Sequence, residues 1–307
     1  MKSLTIYLNE YLEVRRALGY QLVDTERLLN KFIRFLNERN RDHITVNLAL
    51  EWAMLTQNVQ RSHWSQRYSA VRLFAQYIRQ EDPRTEFLPP HQLKYPTCRV
   101  KPYIYSDEEI VQLLEACHSL LSKGLRHHTY FTFFGLLSVT GCRVSELIAL
   151  NRNDFDEHQG WIIVRNSKFN KSRLLPLHRT TCLQLERYAQ IRDQIYSTTE
   201  TEAFFVSDQG TRLTVWSVRG AFIGVSKKIG LRAPSDTHGP RIHDIRHTFA
   251  VKSLLRWYQE GECVDQKMAL LSTYLGHKKP SDTYWYLSGI PGLLAEATRR
   301  LENIIGE

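Results

Sequence analysis

Pro89, Pro90, Pro96 and Pro102 fall between Leu88 and Tyr105, and they limit what this 307-residue chain can fold into more than any other feature. A proline lacks the amide hydrogen that helix and sheet require and clashes with the preceding turn, so no regular element runs through this stretch. Residues 91–105 therefore read as a linker. They divide the chain into 1–90 and 106–307, each long enough to bury a core of its own.

Residues 1–90 predict helices only. Leu4 to Leu18 places apolar residues at helical spacing and stops at Gly19. Asp24 or Thr25 is expected to cap a second helix, carrying Leu28, Leu29, Phe32, Ile33 and Phe35 to about Arg39. Val46 to Leu55 is a third. In the fourth, from about Ser62 to Arg79, Trp64, Tyr68, Val71, Phe74 and Ile78 form one stripe, and Ser65, Ser69, Arg72, Gln76 and Arg79 form another. No acidic residue occurs between Glu51 and Glu81. Such a polar face is most often simply solvated. It becomes a DNA-facing surface only together with the chemistry of the second part.

Residues 106–307 mix helix with a short sheet. Ser106 and Glu109 match a capping box ahead of Ile110, Leu113 and Leu114. An apolar helix from about Tyr130 ends at Gly141, and Val144 to Leu150 resumes as another. Trp161 to Arg165 and Arg173 to Leu177 read as a hairpin whose turn, Ser167 to Lys171, carries Lys168. Helices follow at Thr181 to Ile195 and Trp216 to Ile229, and His243 opens a further one. From Pro291 a short amphipathic tail places Leu294, Ala297, Leu301 and Ile304 on one stripe. The predicted class is mainly α with a small β-sheet.

The 41 Lys+Arg against 32 Asp+Glu, a formal net charge of +9, favour a polyanionic partner. The excess is spread over both parts: residues 1–100 hold 15 basic and 10 acidic residues, leaving 26 and 22 for 101–307. Five cysteines (Cys98, Cys117, Cys142, Cys182, Cys263) form no Cys-x-x-Cys, so neither a disulfide framework nor a zinc cluster is expected, and a reducing cytosol fits. The longest apolar run, Tyr130 to Val139, is far too short to span a bilayer, and the N-terminal sequence has no secretory signal. The expectation is a soluble cytoplasmic protein with no membrane contact.

Several residues carry candidate chemistry. His243 and Arg246, three apart, share one helix face and can converge on one phosphate. Arg143 follows Gly141 at the start of a helix, where backbone amides aim at an anion, and Glu146 one turn on is placed to hold its guanidinium. A hairpin tip suits a DNA groove, so Lys168 can give a proton to a leaving oxygen while its neighbours, Arg173 among them, touch the backbone. Gly276 ends a helix and presents His277. Tyr286 stands nine residues beyond His277, with Thr283 one turn before it, and its phenol is the candidate nucleophile. Each element alone has an ordinary alternative: an intrahelical ion pair, a solvated basic turn, a structural histidine, a packing tyrosine. His247 is expected to pack or cap.

Their order carries the argument. Arg…Lys…His-x-x-Arg…His…Tyr, with Gly141 and Gly276 in place, resembles the tyrosine recombinase family of phage-integrase-type site-specific recombinases. The resemblance covers about 106–290 closely and 1–90 more loosely. It implies an N-terminal helical core-binding (SAM-like) domain and a C-terminal catalytic α+β domain that clamp duplex DNA. It makes Arg143, Lys168, His243, Arg246 and His277 the phosphate-activating residues and Tyr286 the nucleophile, which forms a 3′-phosphotyrosyl bond and frees a 5′-hydroxyl. No metal, other cofactor or ATP is implied. Ser65, Ser69, Arg72, Gln76, Arg79 and Arg173 are the expected DNA contacts. Phe169 stands where the family commonly has glycine, which makes Lys171 the alternative proton donor. An apolar, aromatic insert around Leu254 to Tyr258 points to a transposon-encoded branch of mobile elements. The tail's ordinary role is packing on its own domain; the resemblance implies instead docking on a neighbouring protomer in a homotetramer, or a hetero-assembly with related recombinases, on paired sites near a bacterial nucleoid. Type IB topoisomerase activity and a non-catalytic DNA-binding accessory role stand as alternatives with the same fold.

Overall fold

The computed structural model describes residues 2–93, 101–120, 124–167, 171–196, 201–236, 238–277, 279 and 281–288, leaving out the side chains of 166, 167, 171 and 285–288. The chain forms two compact units, Met1–Arg99 and Val100–Glu307.

In the first unit four helices, α1 (Leu4–Ala17), α2 (Val23–Glu38), α3 (Val46–Met54) and α4 (Arg61–Ile78), enclose one core. It is built from Leu8, Leu12, Phe32, Leu36, Ala49, Trp52, Val71, Phe74 and Ile78, the residues that helical spacing puts on single stripes. The Phe32 and Trp52 rings meet edge to face at 5.1 Å, a geometry that matches the positive edge of one ring to the negative face of the other. The entry to α2 differs from expectation. The cap position is Leu22, left-handed at φ 52° and without a side-chain cap, so Asp24 and Thr25 lie inside the first turn. Asp24 and Glu26 there oppose the helix dipole, and Glu26 accepts Arg16 from the end of α1 at 2.6 Å.

The second unit opens with α5 (Asp107–Cys117), where Ser106 Oγ accepts the Glu109 amide at 3.1 Å and Glu109 accepts the Ser106 amide at 2.8 Å. The apolar α6 (Arg126–Thr140) runs through the core, burying Phe133, Phe134, Leu136 and Leu137. Then come α7 (Val144–Ala149), a 3₁₀ turn (Arg152–Asp154) and a three-stranded antiparallel sheet in the order β1 (Phe155–Asp156), β2 (Trp161–Ser167), β3 (Lys171–Pro176). The short β1 was not legible in the sequence. Ile162 pairs with Leu175 and Val164 with Arg173, and the register becomes irregular between Val164 and Ser167. The chain continues through α8 (Arg179–Ile195), α9 (Val215–Lys228), α10 (Ile242–Gln259), α11 (Val264–Leu275) and α12 (Ser281–Ser288).

A satellite core of Val251, Leu254, Val264, Met268, Leu271 and Leu275 joins α10 to α11, with Trp257 and Tyr258 packed against it. The stretch read as an insert is thus the C-terminal part of α10. Its apolar residues are the face that α11 covers.

Candidate active site

Two left-handed glycines shape the site. Gly141, at φ 60°, ends α6, and a Cβ there would lie 2.5 Å from Cδ1 of Phe249 and 3.1 Å from Cδ2 of Leu275. Only glycine offers both the conformation and the clearance. Gly276, at φ 67°, ends α11. The His277 amide donates to Ser272 O at 2.9 Å and the Gly276 amide to Thr273 O at 3.0 Å, the paired bonds of a Schellman turn.

That turn leaves the carbonyls of Tyr274, Leu275 and Gly276 without helical partners. A different arginine occupies each. Arg173 Nε from β3 donates to Tyr274 O at 2.8 Å, Arg246 Nη2 from α10 to Leu275 O at 2.7 Å, and Arg143 Nη2 from the start of α7 to Gly276 O at 2.9 Å. Arg246 is buried and also donates from Nη1 to Gly141 O at 2.7 Å, joining the C-terminal ends of α6 and α11. Three elements distant in sequence are thereby fixed around the residue that precedes His277.

Glu146 lies behind this group, with only 4% of its side chain exposed. It accepts the Arg143 amide at 2.9 Å, Arg143 Nη1 at 2.7 Å, and the two Nη groups of Arg173 at 3.1 and 2.8 Å. Burial alone would push its carboxyl up. The hydrogen bonds and charge of Arg173, then those of Arg143, more than offset this and hold it down at about 2.

His277 directs Nδ1 at Thr283 Oγ1, 2.7 Å away at the start of α12, and Thr283 is fully buried. Burial, and then the charges of Arg246 and Arg143, lower the His277 ring to about 4. His243 is likewise pushed down by burial and by Arg246, with Arg143 also acting on it. Its ring meets that of His247 edge to face at 4.9 Å, and burial followed by the His243 charge takes His247 down to about 4. Around neutral pH the His277 and His247 imidazoles are neutral, and the fixed positive charge of the site is that of the arginines.

The structure therefore brings Arg143, Glu146, His243, Arg246 and His277 together. The backbone of Tyr286 lies in α12, one turn beyond Thr283, and its side chain falls outside the described residues, as do Lys168, the Lys171 side chain and the tail from 291.

Arg173 sits differently from the expectation of an exposed basic hairpin. Expected at the DNA backbone, it is turned inward with 12% of its side chain exposed and its donors taken by Glu146 and Tyr274. The missed signal is strand alternation: Arg173 and Leu175 share a face, and Leu175 is fully buried. On α4, Ser69 and Gln76 are exposed and Ser65 and Arg72 half-buried, while Arg79 at the C-cap is exposed and faces the Phe87 ring at 5.7 Å. Arg67 on the same helix was not singled out by pattern. It lies buried on the Trp52 ring at 3.8 Å and donates to Thr56 Oγ1 at 2.7 Å.

A model of the phage integrase family matches residues 104–289, the span that holds Arg143, Glu146, Arg173, His243, Arg246 and His277. The chain belongs to that family, the tyrosine recombinases. The integrase/recombinase-type protein y4rB of Sinorhizobium fredii is 44% identical over 299 residues, covering 95% of each chain. Tyrosine recombinase XerD of Staphylococcus haemolyticus is 27% identical over 294 residues and 90% of each chain. Among solved structures, the Tn1549 transposon integrase in complex with transposon right end DNA superposes with a TM-score of 0.68 at 16% identity, over 99% of this chain and all of that one. XerH bound to palindromic difH substrate gives 0.66 at 18% identity, over 96% and 84%. At such identities the two structures speak for the fold. They share its two-domain, mainly helical architecture with a small sheet.

Proposed function

We propose that this chain is a site-specific DNA recombinase that cuts and rejoins duplex DNA through a covalent 3′-phosphotyrosyl intermediate on Tyr286. The observation that carries the reading is the His277–Thr283 hydrogen bond. It ties His277 to the first turn of α12, the helix whose backbone bears Tyr286, and supports reading Tyr286 as the group that acts together with Arg143, His243, Arg246 and His277.

The chemistry follows from the charges. Ionising a phenol of pKa near 10 at pH 7 costs about 4 kcal/mol. Arg143 and Arg246 lower that cost by favouring the phenolate, and they neutralise the extra charge of the phosphorane, where one well-placed donor contributes about 3 kcal/mol. His243 and His277 add donors or proton carriers at the same phosphate. Lys168, which lies between β2 and β3 in the sequence, protonates the leaving 5′-oxygen, with Lys171 as the alternative.

Attack by Tyr286 makes one phosphoester and breaks another. The bond energy stays in the adduct, so a 5′-hydroxyl from a second strand can reverse the step without ATP, and the arginines supply the charge that a metal would otherwise provide. Exchange between two duplexes requires four protomers, and we read the assembly as a homotetramer with the amphipathic tail from 291 docked on a neighbouring copy. Both units contact duplex DNA. The similarity to DNA-bound recombinases and the net charge of +9 support that partner.

Strand exchange between two differently labelled duplexes carrying the target repeats tests this directly. Recombinant product should form in EDTA without nucleotide. Relaxation of supercoiled DNA with no exchanged product would favour a topoisomerase instead.

A further inference from the structure

We propose that Arg173 is a positioning residue for DNA cleavage: it carries the counter-charge of Glu146 and so leaves the charge of Arg143 to the scissile phosphate. The inference rests on the recombinase reading and adds to it a residue expected instead to touch the DNA backbone.

Without Arg173, Arg143 would face Glu146 alone. Glu146 takes both its backbone amide and Nη1, at 2.9 and 2.7 Å. A buried carboxylate this close, with no other cation, would make a neutral pair with Arg143. A neutral pair attracts a phosphate far less than a free guanidinium does. Arg173 changes the count. Its planar fork meets both carboxylate oxygens at 3.1 and 2.8 Å, so Arg143, Glu146 and Arg173 together keep one positive charge. Arg143 is the more exposed of the two arginines, with 24% of its side chain accessible against 12% for Arg173, so it is the one better placed to meet a phosphate.

Geometry adds a second effect. Arg173 Nε holds Tyr274 O at 2.8 Å, the first of the three carbonyls that lead to His277. Arg173 also lies on β3, two residues after Lys171 and five after Lys168. One side chain thus ties the base of the lysine-bearing hairpin to the turns that present Arg143 and His277.

The test measures single-turnover adduct formation on a nicked duplex for wild type, Arg173→Gln, Glu146→Gln/Arg173→Gln and Arg173→Lys, with duplex affinity alongside. Arg173→Gln should slow cleavage by about 100-fold, the scale of losing one charge-stabilising donor, with affinity within a few-fold of wild type. Removing both charges restores the net charge, so the double variant should be about tenfold faster than Arg173→Gln. Cleavage by Arg173→Gln should also recover relative to wild type as pH falls, because a proton on Glu146 removes the uncompensated negative charge. Arg173→Lys, which keeps the charge but not the fork, should fall between wild type and Arg173→Gln.

A wild-type rate for Arg173→Gln, or a double variant no faster than the single, would overturn the proposal. If Arg173→Gln does not fold, the double variant, which lacks the uncompensated carboxylate, decides by its rate: within about tenfold of wild type supports, a loss beyond about 100-fold overturns. If wild type itself forms no adduct, the recombinase reading fails separately. The Glu146 carboxyl followed by ¹³C NMR then decides: a titration clearly higher in Arg173→Gln than in wild type supports the compensation, and an unchanged one removes it.

Discussion

At the scale of single residues, the site is held by buried groups whose charges are set by their neighbours. His277 and His247 both lie near 4, chiefly through burial, and in the unfolded chain both return to about 6.5. The folded-state values are depressed, so the unfolded chain binds more protons as the pH falls. Their contribution to stability is fully present above about 6.5 and lost progressively down to about 4. The urea midpoint of the DNA-free protein should therefore drop between pH 7 and pH 5, and His247→Gln should flatten that drop. A midpoint constant over that range would contradict the neutral, half-buried imidazoles. The order of Arg143, His243, Arg246, His277 and Tyr286, with Glu146 beside Arg143, was picked out through its resemblance to the tyrosine recombinases, and the structure brings all of these but the Tyr286 side chain, which lies outside the described residues, into one neighbourhood. The inward turn of Arg173 was not read from the sequence, because a basic hairpin looks solvated until the burial of Leu175 shows which face of β3 points into the core.

At the scale of elements, most helices were legible because their apolar residues recur at helical spacing, and α1, α3, α4 and α7 fall within two residues of the ranges read from sequence. What periodicity could not show is how helix ends meet. Gly141 illustrates this. The sequence marks it as a helix stop, but its closeness to Phe249 of α10 and Leu275 of α11 exists only once three helices converge. Gly141→Ala should cost about 2–4 kcal/mol of stability, from the left-handed backbone and the displaced Phe249 ring. Because the Gly141 carbonyl also accepts Arg246, cleavage should fall by more than the stability loss explains. Equilibrium denaturation and single-turnover cleavage of the variant check both, and a neutral substitution would refute the packing described. The entry to α2 was misplaced for a related reason. Leu22 adopts a left-handed cap, which the capping preferences of Asp24 and Thr25 do not report.

At the scale of the whole molecule, the basic excess is divided between the two units, consistent with a protein that engages DNA with both. If the Arg72 and Arg79 face of α4 lies on DNA, each arginine that neutralises a phosphate contributes about 0.9 to the slope of log affinity against log salt. Replacing both by alanine should flatten the slope by nearly two units, and an unchanged slope would return that face to plain solvation. The central claim, however, is the covalent bond to Tyr286. The most direct measurement traps the adduct on a nicked suicide duplex in EDTA without nucleotide, digests it and maps the nucleotide-bearing peptide by mass spectrometry. The DNA 3′-phosphate should be found on Tyr286, and Tyr286→Phe should bind duplex within a few-fold of wild type while forming no adduct. An adduct on any other residue, or one undiminished in Tyr286→Phe, would contradict the assignment.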